Sequence, residues 1–247
     1  MKIMQINIWM GRMAKGLMRY VEKEQPDVIC MQEVFNGDYA VAFPDRMFDI
    51  LHRVKEASGL QYDYFSARYS VDVAGGVVPY GNAILSRFPL ESSQTIQTEH
   101  EFQEHVTAED EVRNVNNLQV VTISDNGVLW TIANHHGHYE TDPNGNEQSV
   151  TMMQRVADSI RNMQGPLVLC GDLNVWHESP AMRVFDGWLD DVVAHSGVKT
   201  TLARLNVDRD VVCDHILVNE KVTVNNFKVD TVIVSDHYPL IAELEAN

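Results

Sequence analysis

Short apolar runs recur along the chain, and several of them end in polar side chains. Residues 3–8, 27–33 and 167–170 are such runs, and each suits a buried strand better than an amphipathic helix. The last run leads into Gly171-Asp172-Leu173-Asn174. Because side chains two residues apart on a strand point the same way, this aspartate and asparagine are predicted to share one face of a strand tip.

Apolar residues at helical spacing mark three stretches, and a capping residue followed by proline marks a fourth. The predicted helices cover residues 11–25, residues 46–57 up to Ser58-Gly59, residues from the cap Asn146 to before Gly165, and residues from the cap Ser179 to about Gly187. Strand, helix and strand over the first 33 residues predict a βαβ unit.

The remaining pattern consists mainly of strands. Asp125-Asn126-Gly127 joins two apolar stretches, 118–124 and 128–134, and predicts a hairpin. Further strands are predicted at 82–86, 211–218, 222–229, 231–234 and 240–244. Strands outnumber helices and the helices are spread along the chain, so the class is predicted as α+β, with two sheets packed face to face and helices outside. Because no linker or repeat divides the 247 residues, we expect one domain, 1–247.

The charge balance limits the kinds of partner. Lys and Arg number 19 against 35 Asp and Glu, which gives a formal net charge of −16. Long nucleic-acid duplexes are usually held by many basic residues, and no extended basic patch is evident, so bulk duplex binding is not expected. Carboxylates that bind a divalent metal also add negative charge, so an acidic chain does not exclude phosphate chemistry.

Cysteine usage and hydropathy predict the compartment. Cys30, Cys170 and Cys213 cannot all pair and lie in apolar runs, which is typical of small buried side chains in a reducing cytosol. The start of the chain lacks the pattern of a signal peptide, and no apolar run is long enough to span a membrane. We therefore expect a cytoplasmic protein without membrane association.

Candidate catalytic and metal-binding residues stand at six places where apolar runs end or are interrupted. They are Asn7, Glu33, His136, Asp172 with Asn174, Asp214, and Asp236 with His237. One such residue alone is ordinarily a cap or a hydrogen-bonded structural residue. Six coincidences in one chain favour a shared site.

Metal-assisted hydrolysis of a phosphate ester needs this combination of residue types. Mg²⁺ prefers oxygen ligands, which Glu33 and Asn7 supply. Asp172 is suited to activate or orient an attacking water. Donors are needed for the charge that grows on the phosphate oxygens, and Asn174, His136 and His237 are candidates.

One role stays open between two residues. A buried carboxylate behind a histidine fixes its tautomer and favours the imidazolium. Asp214 and Asp236 are both candidates for this position.

These residues lie in motifs that resemble the endonuclease/exonuclease/phosphatase superfamily of Mg²⁺-dependent phosphoesterases. The motifs are Asn7 in Gln-Ile-Asn-Ile-Trp, Met31-Gln-Glu-Val34, Gly81-Asn-Ala-Ile-Leu-Ser86, Asn134-His-His136, Gly171-Asp-Leu-Asn174, Cys213-Asp-His-Ile216 and Ser235-Asp-His237. They occur in the family's order and span residues 3 to 240. The resemblance implies a four-layer αββα sandwich of two mostly antiparallel sheets, with a Mg²⁺ or Mn²⁺ site at one end of both.

Residue roles follow from the same resemblance. It implies metal binding by Asn7 and Glu33, and a metal or active-site carboxylate at Asp236. Asp172 would activate or orient water, Asn174 and His136 would contact the scissile phosphate, and Asp214 would orient His237 towards that phosphate. Arg113 matches a position where the family often has arginine.

Departures from the family pattern bear on the substrate. Val212 and His215 stand where the family often has arginine and tyrosine, and Trp9-Met10 replaces a dipeptide of the abasic-site repair and phosphotyrosyl-DNA branches. The general bacterial members remain, and their motifs do not define a substrate.

Three hypotheses are carried forward. The first is a nuclease-like phosphodiesterase that uses metal-activated water, with nucleic acid among its candidate substrates. The second is a phosphomonoesterase of a small phosphorylated metabolite or inositol phosphate. The third is a non-catalytic binding domain, against which the retention of every matched acid counts.

Three histidines next to the motifs have a separate interpretation. His135, His138 and His177 are expected to be polar residues at the rim of the site. A zinc site in His135-His-Gly-His138 is the less favoured alternative, because two further spaced soft ligands are not evident.

Overall fold

Two β-sheets stacked face to face, with helices on their outer sides, form the framework of the protein. The computed structural model describes residues 1–38, 46–73, 76–106, 115–205 and 210–247. Arg113 lies outside these residues.

The described residues contain three α-helices and thirteen strands. The helices are α1 (Ala14–Glu24), α2 (Ile50–Ser58) and α3 (Glu147–Ile160). The strands are β1 (Lys2–Asn7), β2 (Val28–Phe35), β3 (Tyr62–Val73), β4 (Gly76–Ser86), β5 (Leu90–Glu99), β6 (Gln103–Val106), β7 (Asn116–Asp125), β8 (Val128–His136), β9 (Leu167–Asp172), β10 (Asp190–Asp191), β11 (Asp214–Val218), β12 (Val222–Val229) and β13 (Leu240–Ala246).

Sheet one has the strand order β12-β13-β1-β2-β4-β3-β6, and sheet two has the order β10-β11-β9-β8-β7-β5. Within the described residues, the pairs β1–β2, β3–β6 and β8–β9 are parallel and the other neighbours are antiparallel. The prediction of two mostly antiparallel sheets is confirmed.

Three apolar clusters hold the layers together. The middle cluster lies between the sheets and contains Ile3, Cys30 and Ile84 from sheet one with Val121, Ile132 and Cys170 from sheet two. On the outer side of sheet one, α1 and α2 bury side chains such as Leu17 and Val54. On the outer side of sheet two, α3 buries side chains such as Met153 and Ile160. Full burial of each large aliphatic side chain contributes about 1.5–3 kcal/mol, and the resulting order of layers is the predicted αββα sandwich.

A set of buried side-chain amides crosses the interface between the sheets, and we call Gln5, Gln32, Gln119 and Asn134 the amide layer. Gln5 donates to Gln32 at 2.7 Å, Gln32 donates to Asn134 at 2.6 Å, and Asn134 donates to Gln119 at 2.8 Å. All four side chains are fully buried. Because each amide finds partners, the layer joins the two sheets by directional bonds beside the apolar cluster between them.

The local signals for α3 and the hairpin are confirmed. The Asn146 side chain accepts from the backbone N–H groups of Gln148 and Ser149, and the Ser149 hydroxyl accepts from the Asn146 N–H. Strands β7 and β8 pair across the predicted turn, with Asp125 opposite Val128.

Two predicted elements were wrong. In place of the helix after Ser179, a short 3-10 turn covers Met182–Phe185, because Pro180 and Gly187 leave room for little more than one turn. Residues 231–234 form no strand. The chain leaves sheet one after Val229 and carries Ser235 towards β1, where its hydroxyl donates to the Asn7 carbonyl at 2.7 Å.

Other differences concern the bounds of elements and four strands that were not predicted, β3, β5, β6 and β10. The predicted strand at 211–218 begins at Asp214, and the helix predicted from residue 46 begins at Ile50. Strand β5 was missed because it is a mostly exposed edge strand of polar residues and lacks clear apolar alternation. None of the helices among the described residues is long and apolar enough to cross a membrane.

Candidate active site

Strand register brings the predicted polar tips to one end of both sheets. In sheet one, Asn7 ends β1 and pairs with Gln32 of the parallel strand β2, so Glu33 follows directly. In sheet two, His136 ends β8 opposite Asp172, and Asp214 begins β11 opposite the same aspartate. The loop between β12 and β13 adds Asp236 and His237.

Glu33 is directed into the site by an irregularity in its strand. The pairing of β2 with β4 shifts register between Met31 and Val34, and Glu33 has a φ of +58°. Asn174 has a φ of +57° in the turn after β9. Left-handed backbone at non-glycine residues is strained and often occurs at functional sites.

Asp172 is the hub of the hydrogen-bonding network. Its Oδ2 accepts from Asn7 Nδ2 at 3.0 Å and lies 3.5 Å from His136 Nε2 and 3.7 Å from His237 Nε2. The side chain is 2 % exposed. The carboxylate is therefore shared by groups from both sheets.

The Asn7 amide bridges two carboxylates. Its Nδ2 donates to Glu33 Oε1 at 3.1 Å as well as to Asp172, and its Oδ1 accepts from the Trp9 N–H at 3.0 Å. In this orientation the amide nitrogen faces the carboxylates, and direct metal ligation by Asn7 Oδ1 would require the amide to turn over.

His237 has its buried carboxylate partner in Asp214. The imidazole Nδ1 lies 2.8 Å from Asp214 Oδ2, and Gln5 of the amide layer donates to the other oxygen of Asp214 at 3.3 Å. Asp236 instead accepts from the Ser235 hydroxyl at 3.1 Å. Of the two candidates for the position behind His237, the geometry favours Asp214.

Burial and mutual repulsion set the protonation behaviour of the carboxyl groups. Burial, together with the nearby charges of Asp214 and Glu33, raises the pKa of Asp172 to about 7, against an opposing attraction to His237. Burial and the charge of Asp236 raise the pKa of Glu33. Burial also raises the pKa of Asp236. Three carboxyl groups therefore crowd one cleft.

The two histidines behave oppositely. Burial lowers the pKa of His237, but the charges of Asp214 and Asp172 outweigh burial and raise this pKa well above its usual value. The imidazole is therefore held as the cation. Burial, and next the charge of Arg68, lower the pKa of His136 well below its usual value. His136 is therefore neutral at physiological pH.

Arg68 is a site residue that the sequence analysis missed. It lies on β3, is 4 % exposed, and places Nη1 2.9 Å from His136 Nδ1, while its Nε donates to the Val115 carbonyl. A guanidinium has no acceptor, so His136 Nδ1 accepts and the ring proton lies on Nε2, towards Asp172. A charge inside an aromatic stretch was the only available sequence signal.

Most of the sequence-predicted side chains line a cavity of about 240 Å³. Its lining includes Glu33, His136, Asp172, Asn174, Asp236 and His237 together with Tyr139, Glu140, Pro143, Leu202, Ala203, Val211 and Cys213. Gly137 permits the close approach of the two loops here, since a Cβ at this position would lie 2.0 Å from the Leu173 carbonyl oxygen. The structure thus brings all eight sequence-predicted residues to one cleft or into contact with it, and their chemical roles stay predictions.

The expectation for two neighbouring histidines was wrong. His135 and His138 are buried, not at the rim, because His135 Nδ1 bonds the Asn117 carbonyl and His138 Nδ1 lies 3.0 Å from Glu99 Oε1. Among the described residues, the group whose donor atoms lie close enough together to hold a metal is Asp172, Cys213 and His237, and it includes neither of these histidines.

The fold and the cleft define a class of protein: a two-sheet αββα sandwich with a carboxylate- and histidine-lined site at one sheet end. A sequence profile of the Endonuclease/Exonuclease/phosphatase family matches residues 4–237. The chain belongs to this family, whose members are phosphoesterases and nucleases.

Solved structures with the same fold cover the whole length of the chain. An endonuclease/exonuclease/phosphatase from Bacteroides vulgatus is 17% identical with a TM-score of 0.73, covering 100% of this chain and 98% of its own. A mannosyl-6-phosphatase from Bacteroides thetaiotaomicron is 18% identical with a TM-score of 0.72, covering 99% of each chain. The human Nocturnin catalytic domain with a bound sulfate anion is 18% identical with a TM-score of 0.72, covering 100% of this chain and 94% of its own. None of the curated proteins compared matches the chain in sequence.

Proposed function

We propose that the protein is a divalent-metal-dependent hydrolase of phosphate esters, and that its substrate is a phosphodiester. The observation that supports this most is the convergence of three buried or half-buried carboxylates, Glu33, Asp172 and Asp236, with the imidazolium of His237 in one cleft. Carboxylates suit metal binding and water activation, and an imidazolium suits a phosphate oxygen.

The donor set fits Mg²⁺ or Mn²⁺. Glu33 and Asp236 offer carboxylate oxygens. The pKa of each carboxyl group is raised, which indicates that the cleft does not fully neutralise their negative charges. A divalent cation between them would relieve that repulsion. When bound, the ion would polarise a phosphate oxygen and lower the charge that the protein must stabilise.

The roles of the protein groups follow from their contacts. Ionised Asp172, held by Asn7, accepts a proton from the water that attacks phosphorus. His237, charged and oriented by Asp214, donates a hydrogen bond from Nε2 to a phosphate oxygen. The leaving oxygen keeps the electron pair of the broken P–O bond and takes a proton from solvent water. His136, neutral, donates to the same phosphate from its Nε2–H.

Charge favours a diester over a monoester. Among the described lining residues, Glu33, Glu140, Asp172 and Asp236 bring carboxylates, whereas His237 brings the cation. A phosphodiester carries one negative charge and a phosphomonoester carries up to two near neutral pH, so the diester meets less repulsion. The overall charge of −16 disfavours long polyanions, so a short or small diester is proposed.

A phosphomonoester of a small metabolite is the second candidate. The cavity of about 240 Å³ suits a compact substrate, and one protein with the same fold is a mannosyl-6-phosphatase. We also propose a cytoplasmic location, which three unpaired, buried cysteines support.

The test is hydrolysis of bis(p-nitrophenyl) phosphate and of p-nitrophenyl phosphate, with Mg²⁺, with Mn²⁺ and with a chelator. Asp172→Asn is the inactive control, and Asp186→Asn, at an exposed carboxylate outside the cleft, is the matched one. The proposal is supported if the parent and Asp186→Asn hydrolyse the diester in a metal-dependent way and Asp172→Asn does not. Preference for the monoester would promote the second candidate, and turnover that survives the chelator would refute the metal-dependent mechanism.

A further inference from the structure

A cysteine lies inside the cleft beside two of the residues proposed to act on substrate. Cys213 is 5 % exposed and lines the cavity. The donor atoms of Asp172, Cys213 and His237 all lie within 4.8 Å of one another. The hydrolytic mechanism gives the thiol no part, so its presence there needs another explanation.

We propose that Asp172, Cys213 and His237 form a binding site for Zn²⁺, or for another thiol-seeking divalent cation, and that its occupation blocks hydrolysis. We call these three residues the thiol site. The inhibition rests on the proposed function, which supplies the activity that is blocked, whereas the binding does not.

The donor set is one that zinc accepts. Zinc binds thiolate sulfur, imidazole nitrogen and carboxylate oxygen, commonly through three protein ligands with a fourth position left open. Bonds of about 2.0–2.3 Å place tetrahedral ligand atoms about 3.3–3.8 Å apart, so the side chains need to draw together by at most about 1 Å. Mg²⁺ prefers oxygen ligands and has little affinity for a thiol. The thiol site should therefore bind Zn²⁺ in preference to Mg²⁺.

Surrounding hydrogen bonds already hold two of the three ligand residues, His237 and Cys213. Asp214 engages His237 Nδ1 at 2.8 Å, so Nε2 is the nitrogen that a metal would bind, with displacement of its proton. A carboxylate behind a ligating histidine is a common supporting contact. Nε2 lies 3.7 Å from Asp172 Oδ2. On the thiol side, the Thr201 hydroxyl accepts from the Cys213 N–H at 3.2 Å and lies 3.6 Å from Sγ.

The position of the thiol site predicts the form of the inhibition. Its ligands include the proposed water-activating carboxylate and the proposed phosphate donor, so a bound cation removes both from the reaction. Glu33 and Asp236, proposed for Mg²⁺, are separate residues. Raising the Mg²⁺ concentration should therefore leave the inhibition in place.

Binding is tested first with Co²⁺, which substitutes for zinc and gives a thiolate-to-cobalt charge-transfer absorption. The parent is compared with Cys213→Ser, with Cys213→Ala, and with Cys30→Ala, which removes a thiol from the core between the sheets. We expect the absorption in the parent and Cys30→Ala, displacement of it by Zn²⁺, and no such absorption in either Cys213 variant. Calorimetry should show Zn²⁺ affinity at least about tenfold weaker in both Cys213 variants.

Inhibition is tested by titrating Zn²⁺ at fixed Mg²⁺, with each variant's rate normalised to its own Mg²⁺-dependent rate. We expect the Cys213 variants to need at least about tenfold more Zn²⁺ for half-inhibition. Equal sensitivity of parent and Cys213 variants would overturn the proposal, as would full relief by excess Mg²⁺ or an unchanged cobalt spectrum in Cys213→Ser. If no variant hydrolyses any ester, the proposed function fails while the cobalt spectrum still decides the binding site.

Discussion

Replacing Asp172 with asparagine is expected to abolish turnover and to stabilise the metal-free fold at alkaline pH. The carboxylate is proposed to activate water, and the loss of such a group commonly lowers the rate by about a hundredfold or more. The same carboxylate is buried, 2 % exposed, beside other negative charges. Asparagine keeps the shape and an acceptor for Asn7 but never becomes charged.

The size of the stability effect follows from the pKa. The Asp172 pKa is about 7 in the folded protein against 3.8 for the ordinary carboxyl, so the proton binds more tightly to the folded state. The stabilisation from that proton is complete below about pH 4 and is lost as pH rises through about 7. At about 1.4 kcal/mol per pH unit, the loss is about 4 kcal/mol at pH 8. Asp172 also raises the pKa of His237, which offsets part of this, so we expect a net gain of about 2–4 kcal/mol for the variant.

The assay is urea unfolding of parent and Asp172→Asn at intervals from pH 5 to pH 8, in the presence of a chelator. The difference in unfolding free energy should grow in favour of the variant as pH rises. Two outcomes would refute the view that the buried charge of Asp172 destabilises the fold. One is an unfolding free energy that changes equally with pH in both proteins, and the other is a variant that is less stable than the parent at pH 8. A stable variant with near-parental activity would instead refute its catalytic role.

Three further substitutions separate metal binding, histidine control and fold stability. Glu33→Gln should weaken Mg²⁺ affinity in a calorimetric titration, and a titration indistinguishable from the parent would remove Glu33 from the proposed ligands. Arg68→Gln should raise the pKa of His136, read by NMR of the imidazole, because a nearby positive charge is lost; it should also lower stability by about 1–3 kcal/mol if the Val115 carbonyl is left without its donor. Asn146→Ala should lower the unfolding free energy by about 1 kcal/mol through loss of the α3 cap and leave activity per folded molecule unchanged.

The parts of the fold with strong local periodicity were predictable from the sequence. The hairpin at Asn126-Gly127 and the capped helix α3 have signals within a few residues, so neighbours alone determine them. Residues 231–234 were wrongly predicted as a strand because they are mostly β-branched and apolar. Their path is set instead by Ser235, whose hydroxyl donates to the Asn7 carbonyl on β1. Strand β5 gave no apolar alternation because consecutive side chains, which point to opposite faces, are exposed over half of its length.

The candidate site was predictable as a set of strand tips but not as a network. Register places His136 and Asp214 on either side of Asp172, which the run of polar ends implied. The contact of Arg68 with His136 joins residues 68 positions apart, on different sheets, and no local pattern encodes it. The same holds for Cys213, whose importance depends on what surrounds it in space.

The amide layer has a consequence for how this protein could change its substrate. Gln32 and Asn134 fix one sheet against the other, since a relative shift of the sheets would leave buried donors and acceptors without partners. The distance between Glu33 on one sheet and Asp172 on the other is therefore a constant of the framework. A new substrate specificity therefore has to arise from changes in the loops that carry Tyr139 and Leu202, while the strand ends beneath them stay in place.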